Sequence, residues 1–192
     1  MNNTLHIVGI CGSLRADSHS RALLRAMAEL LPANATYREI DIGALPHYNE
    51  DLDSETPLQA VAHARQWVGA ADAVLIVTPE FNHGLPGVLK NTLDWLSRPA
   101  FASCMIQKPV LFATLSPGAL GGVRAQYQLR ETLSSMLCQL FPLREIAIPY
   151  VDRKFDGARC TDEATLSHMR KALHSFLGQA RLVEQEVAHA DR

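Results

Sequence analysis

The sequence predicts an α/β fold, a parallel sheet with helices on both faces. Three observations carry that expectation. Five short segments read as strands, most of them largely apolar, amphipathic stretches of helical spacing alternate with them, and the loops after the first, third and fourth segments have unusual composition. Near-continuous apolar strands alternating with helices describe strands buried on both faces.

Leu5 to Ile10 reads as the first buried strand, and Cys11 to Asp17 as a polar, Gly-containing loop. Arg21 to Leu31 is amphipathic, with Leu23, Leu24, Met27, Leu30 and Leu31 on one face, and Pro32 closes it. Thr36 to Ile42 alternates like a second strand. Pro57 suits a helix start, and that helix is expected to run to about Ala70. Ala73 to Thr78 is the third strand. Pro86 suits the first turn of the next helix, whose apolar face is Leu85, Val88, Leu89, Leu93 and Leu96. Val110 to Leu115 is the fourth strand, followed by a helix to about Leu140, and Arg144 to Ile148 is the fifth strand. Thr161 is placed to cap a last helix carrying Leu166, Met169, Leu173, Phe176, Leu177 and Ala180, with Asp162 and Glu163 in its first turn. Five strands in this βα alternation suggest the flavodoxin-like order 2-1-3-4-5, in one domain over residues 1–192. Ligands of such sheets bind outside the strand carboxyl ends, where the order reverses between strands 1 and 3. That rule nominates the loops 11–20, 79–87 and 116–122.

Composition narrows the function classes. Hydrophobic residues make up 47% of the chain, so a globular fold is expected. A net charge of -2 argues against nucleic acid as the main partner. No apolar run approaches the roughly 20 residues of a membrane span. The N-terminus shows no basic segment ahead of an apolar one, so a secretory signal is not expected. Cys11, Cys104, Cys138 and Cys160 form no CxxC pair and read as reduced, mostly buried thiols of a cytoplasmic protein. No HxxxH or HExxH occurs, and no metal site is expected.

The first loop, Gly12 to Arg21, offers the hydroxyls of Ser13, Ser18 and Ser20 and the cation of Arg15 just ahead of a helix. Helix N-termini bind anions through free N–H groups and the dipole, so this loop reads as a phosphate cradle. It has neither GxxxxGK[ST] nor GxGxxG. Only three residues separate Cys11 from Arg15, too few to wrap a phosphoryl group around a thiolate, so Cys11 reads as a small packing residue. The second loop, Pro79-Glu80-Phe81-Asn82-His83-Gly84, lacks cations. Its backbone N–H groups, aromatic and amide suit a flat heterocycle with polar edges. Glu80 has no evident partner carboxylate and is assigned a role through its backbone, with a structural hydrogen bond for its side chain. Gly84 and Gly87 permit close backbone approach or a positive φ. The third loop, with Ser116, Gly118, Gly121 and Gly122, lies where it can approach the same ring. A phosphate in loop one and a ring in loop two describe a mononucleotide.

At these residues the sequence resembles the NADPH-dependent FMN reductase family, which includes quinone, azo-dye and chromate reductases. "GSLRADSHS" is similar to the family's Gly-Ser-Leu-Arg-x-x-Ser-x-Asn. "PEFNHGLPGVLKNTLDW" is similar to its Pro-Glu-Tyr-Asn-x-Gly-x-Pro-Gly-x-Leu-Lys-Asn-x-x-Asp-Trp. "LPHYNEDLD" and "SPGALGGVRAQYQLR" resemble further family segments. The resemblance implies non-covalent FMN, with Ser13, Arg15, Ser18 and Ser20 at its phosphate. Pro79, Glu80, Phe81, Asn82 and Gly84 would line the isoalloxazine, with Ser116 and Gly118 nearby. It implies NADPH or NADH as hydride donor, hydride transfer through flavin N5, and a small-molecule acceptor in a ping-pong cycle. It also implies a homodimer or homotetramer, for which Trp95, Leu96 and the 124–128 segment are candidate interface residues. Ser20 stands for the usual asparagine, and Phe81 for the usual tyrosine. An electron-transfer flavodoxin or a non-catalytic flavin-binding sensor is the alternative; carriers of that kind are usually far more acidic.

Overall fold

The computed structural model describes residues 4–54 and 56–190, with side chains to residue 180. Five parallel strands form one sheet in the order β2-β1-β3-β4-β5. They are β1 (Leu5–Cys11), β2 (Ala35–Ile40), β3 (Ala73–Pro79), β4 (Val110–Leu115) and β5 (Ile146–Ile148). The connecting helices are α1 (His19–Glu29), α2 (Gln59–Ala70), α3 (Gly87–Leu96) and α4 (Val123–Ser135), and α5 (Glu163–Ala190) follows the sheet. The order expected from the alternation is the order found. β1 and β3 pair from Ile7↔Ala73 to Cys11↔Val77. Their carboxyl ends therefore lie side by side.

Successive strand residues point to opposite faces, and the core divides accordingly. Val8, Ile10, Val74, Ile76 and Phe112 pack on one side with Val61 and Val68 of α2, Leu89, Leu93 and Trp95 of α3, and Leu129 and Leu133 of α4. Ile7, Leu75, Val77, Leu111 and Leu115 pack on the other with Leu23, Leu24 and Met27 of α1 and Met169, Leu173 and Phe176 of α5. Trp95, at 1% exposure, donates its Nε1–H to the carbonyl of Pro46 at 2.8 Å, and Leu96 is fully buried. Both residues serve the protomer's own core, which corrects their assignment to an interface.

Several boundaries move for local reasons. β2 stops at Ile40, because Asp41 caps a single 3-10 turn, Ile42–Ala44, by accepting from the Gly43 N–H at 3.0 Å. α2 begins at Gln59, two residues after Pro57, and Pro86 sits at the cap position of α3. α4 ends at Ser135, and Leu137 takes a left-handed φ of 59° before residue 139 rejoins the sheet edge beside Pro109. Residues 144 and 145 lie outside β5. A two-stranded hairpin, β6 (Phe155–Asp156) with β7 (Arg159–Cys160), precedes α5 and was not foreseen.

The cap of α5 is Asp162, not Thr161. Asp162 accepts from the Thr165 N–H at 3.0 Å and pairs with Lys154 at 2.7 Å. The Lys154 ammonium first, and the Thr165 hydroxyl next, hold its carboxyl down at about 2. A carboxyl lowered on folding stabilises the protein above its unfolded pKa and loses that contribution as pH falls through the folded value. Acid titration of stability from about pH 4 down to about pH 2 is therefore expected to be shallower for Asp162→Asn than for the native chain. Equal slopes would show that the pair contributes nothing there.

Candidate functional site

Loop one leaves β1 at Cys11. The Gly12 N–H donates to the Val77 carbonyl at 2.8 Å, which carries the sheet one residue further. A Cβ on Gly12 would lie 2.2 Å from Thr78 Oγ1, so only glycine lets loop one cross the start of loop two this closely. Ser13, Ser18 and Ser20 are buried, whereas Leu14 to Asp17 stand in solvent. Ser18 is the N-cap of α1, and its side chain accepts from the Arg21 N–H at 3.5 Å. Ser20, the second residue of α1, is 1% exposed, and its Oγ has no hydrogen-bond partner. Leaving a buried hydroxyl unsatisfied costs about 1–3 kcal/mol. Beside the free N–H groups of a helix start, that orphan fits an anionic ligand. The residues present therefore suit the phosphate of FMN, with Arg15 exposed at the outer edge of the loop.

Arg21 braces this loop, and the sequence had not singled it out. Its Nε donates to Glu39 Oε1 at 2.9 Å, while its terminal nitrogens donate to the carbonyls of Arg15 (3.2 Å) and Ser13 (3.3 Å). Glu39 lies on β2, so the contact joins residues far apart in sequence, and no local pattern announces it. Cys11 is 1% exposed, and its Sγ contacts the Ser13 carbonyl at 3.5 Å. Burial pushes its thiol pKa up, which suits packing and not nucleophilic attack.

Loop two is a tight hairpin. Phe81 and Gly84 exchange N–H···O bonds of 3.0 and 2.9 Å. Between them Asn82 (φ 48°) and His83 (φ 64°) are both left-handed, as in a type I′ turn. Positive φ thus falls on Asn82 and His83, whereas Gly84 shows the other expected use, close approach: a Cβ there would lie 2.8 Å from Gln128 Oε1. Phe81, 59% exposed, presents its ring to solvent beside the site. Glu80 does not take part in an acid pair. Its Oε2 accepts from the N–H groups of Arg124 (2.9 Å) and Ala125 (3.1 Å) and so caps α4. The cap residue of α4 is Gly122, which has no side chain for that task.

Loop three closes the perimeter. Ser116 Oγ accepts from the Gly118 N–H at 3.0 Å. The carbonyls of Ser116 and Gly118 accept from Val151 (3.1 Å) and Tyr150 (3.2 Å), which follow β5. Gly121 and Gly122 carry the positive φ values of this loop, 62° and 81°. A Cβ on Gly122 would lie 3.4 Å from the Glu80 Cβ, so loops two and three touch there. His19 of α1 sits 3.5 Å from Asp152, which ties loop one to the segment after β5. The loops nominated by topology form one rim at the strand carboxyl ends.

Among the described residues no group of acidic, histidine or cysteine side chains is placed to hold a metal ion. No described helix is long and apolar enough to cross a membrane.

Comparison with known proteins agrees with this fold. The model of the NADPH-dependent FMN reductase family matches residues 5–153. A quinone reductase of Pseudomonas putida is 34% identical over 182 residues, 95% of this chain and 98% of that protein. An NAD(P)H-dependent FMN reductase of Pseudomonas aeruginosa is 38% identical over 179 residues, covering 92% and 95%. A 2-hydroxy-1,4-benzoquinone reductase of a Burkholderia species is 39% identical over 174 residues, covering 90% and 92%. Among solved structures, the flavoenzyme NAD(P)H:(acceptor) oxidoreductase FerB of Paracoccus denitrificans superposes with a TM-score of 0.84 at 29% identity, covering 92% of this chain and 97% of its own. The chain has the flavodoxin-like fold and belongs to the NADPH-dependent FMN reductase family of oxidoreductases.

Proposed function

We propose that this protein binds FMN across the rim of β1, β3 and β4 and uses it to pass hydride from NADPH or NADH to a small acceptor of the quinone class. The observation that carries the reading is the orphaned, buried Ser20 hydroxyl at the start of α1, beside the Ser18 cap. It has no partner within the protein and lies at the helix start, whose N–H groups an anion would meet. Ser13, Arg15, Ser18 and Ser20 would hold the phosphate. Pro79, Glu80, Phe81, Asn82 and Gly84 would line the ring through backbone and ring contacts, with Ser116 and Gly118 across from them.

FMN supplies the hydride chemistry, and the protein supplies position and electrostatics. Backbone N–H groups of loop two are suited to stabilise negative charge on a reduced ring. Glu80 is occupied as the cap of α4, so proton transfer by that carboxylate is not part of the reading. Donor and acceptor using the same exposed face in turn gives a ping-pong cycle. One relative named a 2-hydroxy-1,4-benzoquinone reductase supports a planar acceptor. A homo-oligomer is also proposed. Phe101, 89% exposed, and Leu137, 51% exposed, border a groove with Met136 and Ile106 that self-association would cover.

The test is the absorbance spectrum of FMN-reconstituted protein before and after anaerobic NADPH and, separately, NADH. A bound-flavin spectrum that bleaches with either nucleotide and recovers on adding benzoquinone is the expected result. Flavin that bleaches only with dithionite would make the protein a carrier or sensor, and failure to bind FMN would end the reading.

A further inference from the structure

Loop two stands largely outside the core. Phe81, Asn82 and His83 are exposed, and both central residues of the turn hold left-handed φ values that non-glycine residues adopt at a cost. Something must over-determine that conformation. The hydrogen bonds on either side of the turn both come from α4. Before the turn, Glu80 accepts from Arg124 and Ala125. After it, the Leu85 N–H donates to Gln128 Oε1 at 2.6 Å. Residues 124 and 128 are one helical turn apart on a rigid element, so the two contacts grip the turn at both feet.

Gly84 belongs to the same device. A Cβ there would lie 2.8 Å from Gln128 Oε1, closer than side chains tolerate. Its missing side chain leaves the space that the Gln128 amide occupies. Gln128 lies outside the stretch from Pro79 to Trp95, in the segment "SPGALGGVRAQYQLR", where no local pattern assigns it a contact with loop two.

We propose that Gln128 is a positioning residue for the flavin ring: by accepting from the Leu85 N–H it fixes the Phe81–Gly84 turn against α4. The proposal rests on the FMN reading above and adds the residue that orients its ring-side loop. With the acceptor lost, Glu80 still caps α4, so the fold persists while one foot of the turn is released. Backbone N–H groups of the turn then face the ring less rigidly, and the polarity around the bound flavin changes.

Three variants of the full chain test this: Gln128→Leu, which keeps volume and removes the acceptor; Gln128→Glu, which keeps an oxygen at the same reach; and Gly84→Ala, which displaces the amide from the other side. Gln128→Leu is expected to weaken FMN binding by up to about tenfold, the scale of one hydrogen bond. It should also shift the visible absorbance and reduction potential of bound flavin. Its apoprotein should melt within about 3 °C of wild type, as the loss of one exposed hydrogen bond allows. Gln128→Glu, which keeps the acceptor, should bind FMN more tightly than the leucine variant, although its added charge shifts the potential, and Gly84→Ala should reproduce the leucine variant. Wild-type affinity, spectrum and potential in Gln128→Leu would overturn the positioning role while leaving the FMN reading intact. So would a glutamate variant no better than leucine. Wild-type protein that takes up no FMN would overturn both together.

Discussion

Arg21→Leu is expected to lower FMN affinity by about 100-fold, near 2.7 kcal/mol, while the sheet still forms. The guanidinium makes three contacts, to Glu39 and to the carbonyls of Ser13 and Arg15. A hydrogen bond involving a charged group is worth about 1.5–3 kcal/mol, discounted here because both partners of the ion pair are 24% exposed. Removing the arginine also leaves Glu39 without its cation beside the proposed phosphate loop. That adds repulsion against the ligand without removing any group that touches it. Glu39→Gln separates the two effects. It keeps an acceptor for Arg21 and deletes the charge, so its affinity should lie near wild type. Isothermal titration of apoprotein with FMN, at two salt concentrations, measures both. Equal affinities for Arg21→Leu and the native protein would show that loop one holds its shape without the brace.

Gly121→Ala is expected to destabilise the protein by about 2–5 kcal/mol, from a left-handed residue at about 1–2 kcal/mol and overpacking at about 1–3 kcal/mol. Gly121 has a φ of 62°, and a Cβ there would lie 2.6 Å from the Ala147 carbonyl carbon and 2.7 Å from the Ile148 nitrogen. Those atoms are backbone of β5, which has only three residues and pairs only with β4. They cannot rotate away as a side-chain tip can. Gly118→Ala is the control in the same loop. Its Cβ would meet only Ser116 Oγ at 3.4 Å, an ordinary contact, and its stability should be close to native. Urea midpoints for the two variants decide the matter. A native midpoint for Gly121→Ala would mean that loop three can move off β5 at little cost.

The contrast between those two glycines shows where sequence reading stops. "SPGALGG" shows a flexible loop, and nothing in the string ranks its glycines. Only the approach of Gly121 to β5 does so. The same holds for Glu80. Its position between a buried strand and a helix marked it as unusual, and the absence of a partner carboxylate pointed to a structural bond. That the bond caps α4, 44 residues away, depends on loops two and three meeting at Gly122. Trp95 shows the converse error. As an aromatic that could suit the implied oligomer, it was a candidate for an interface, yet the Pro46 carbonyl and the side of the sheet packed by α3 claim it first.

The sequence by itself determined the α/β class, the strand order, the three loops at the strand carboxyl ends and the family, because these follow from periodicity and from motifs whose residues are neighbours in the chain. Apolar alternation is a local property, and the rule that ligands sit where strand order reverses needs only that order. The tertiary structure alone decided which side chains hold the loops: Arg21 on Glu39, Glu80 on Arg124 and Ala125, Gln128 on Leu85. These pairs join segments 18 to 45 residues apart. Their hydrogen bonds exist only once β1, β2, β3 and α4 are packed, so no local pattern could have announced them.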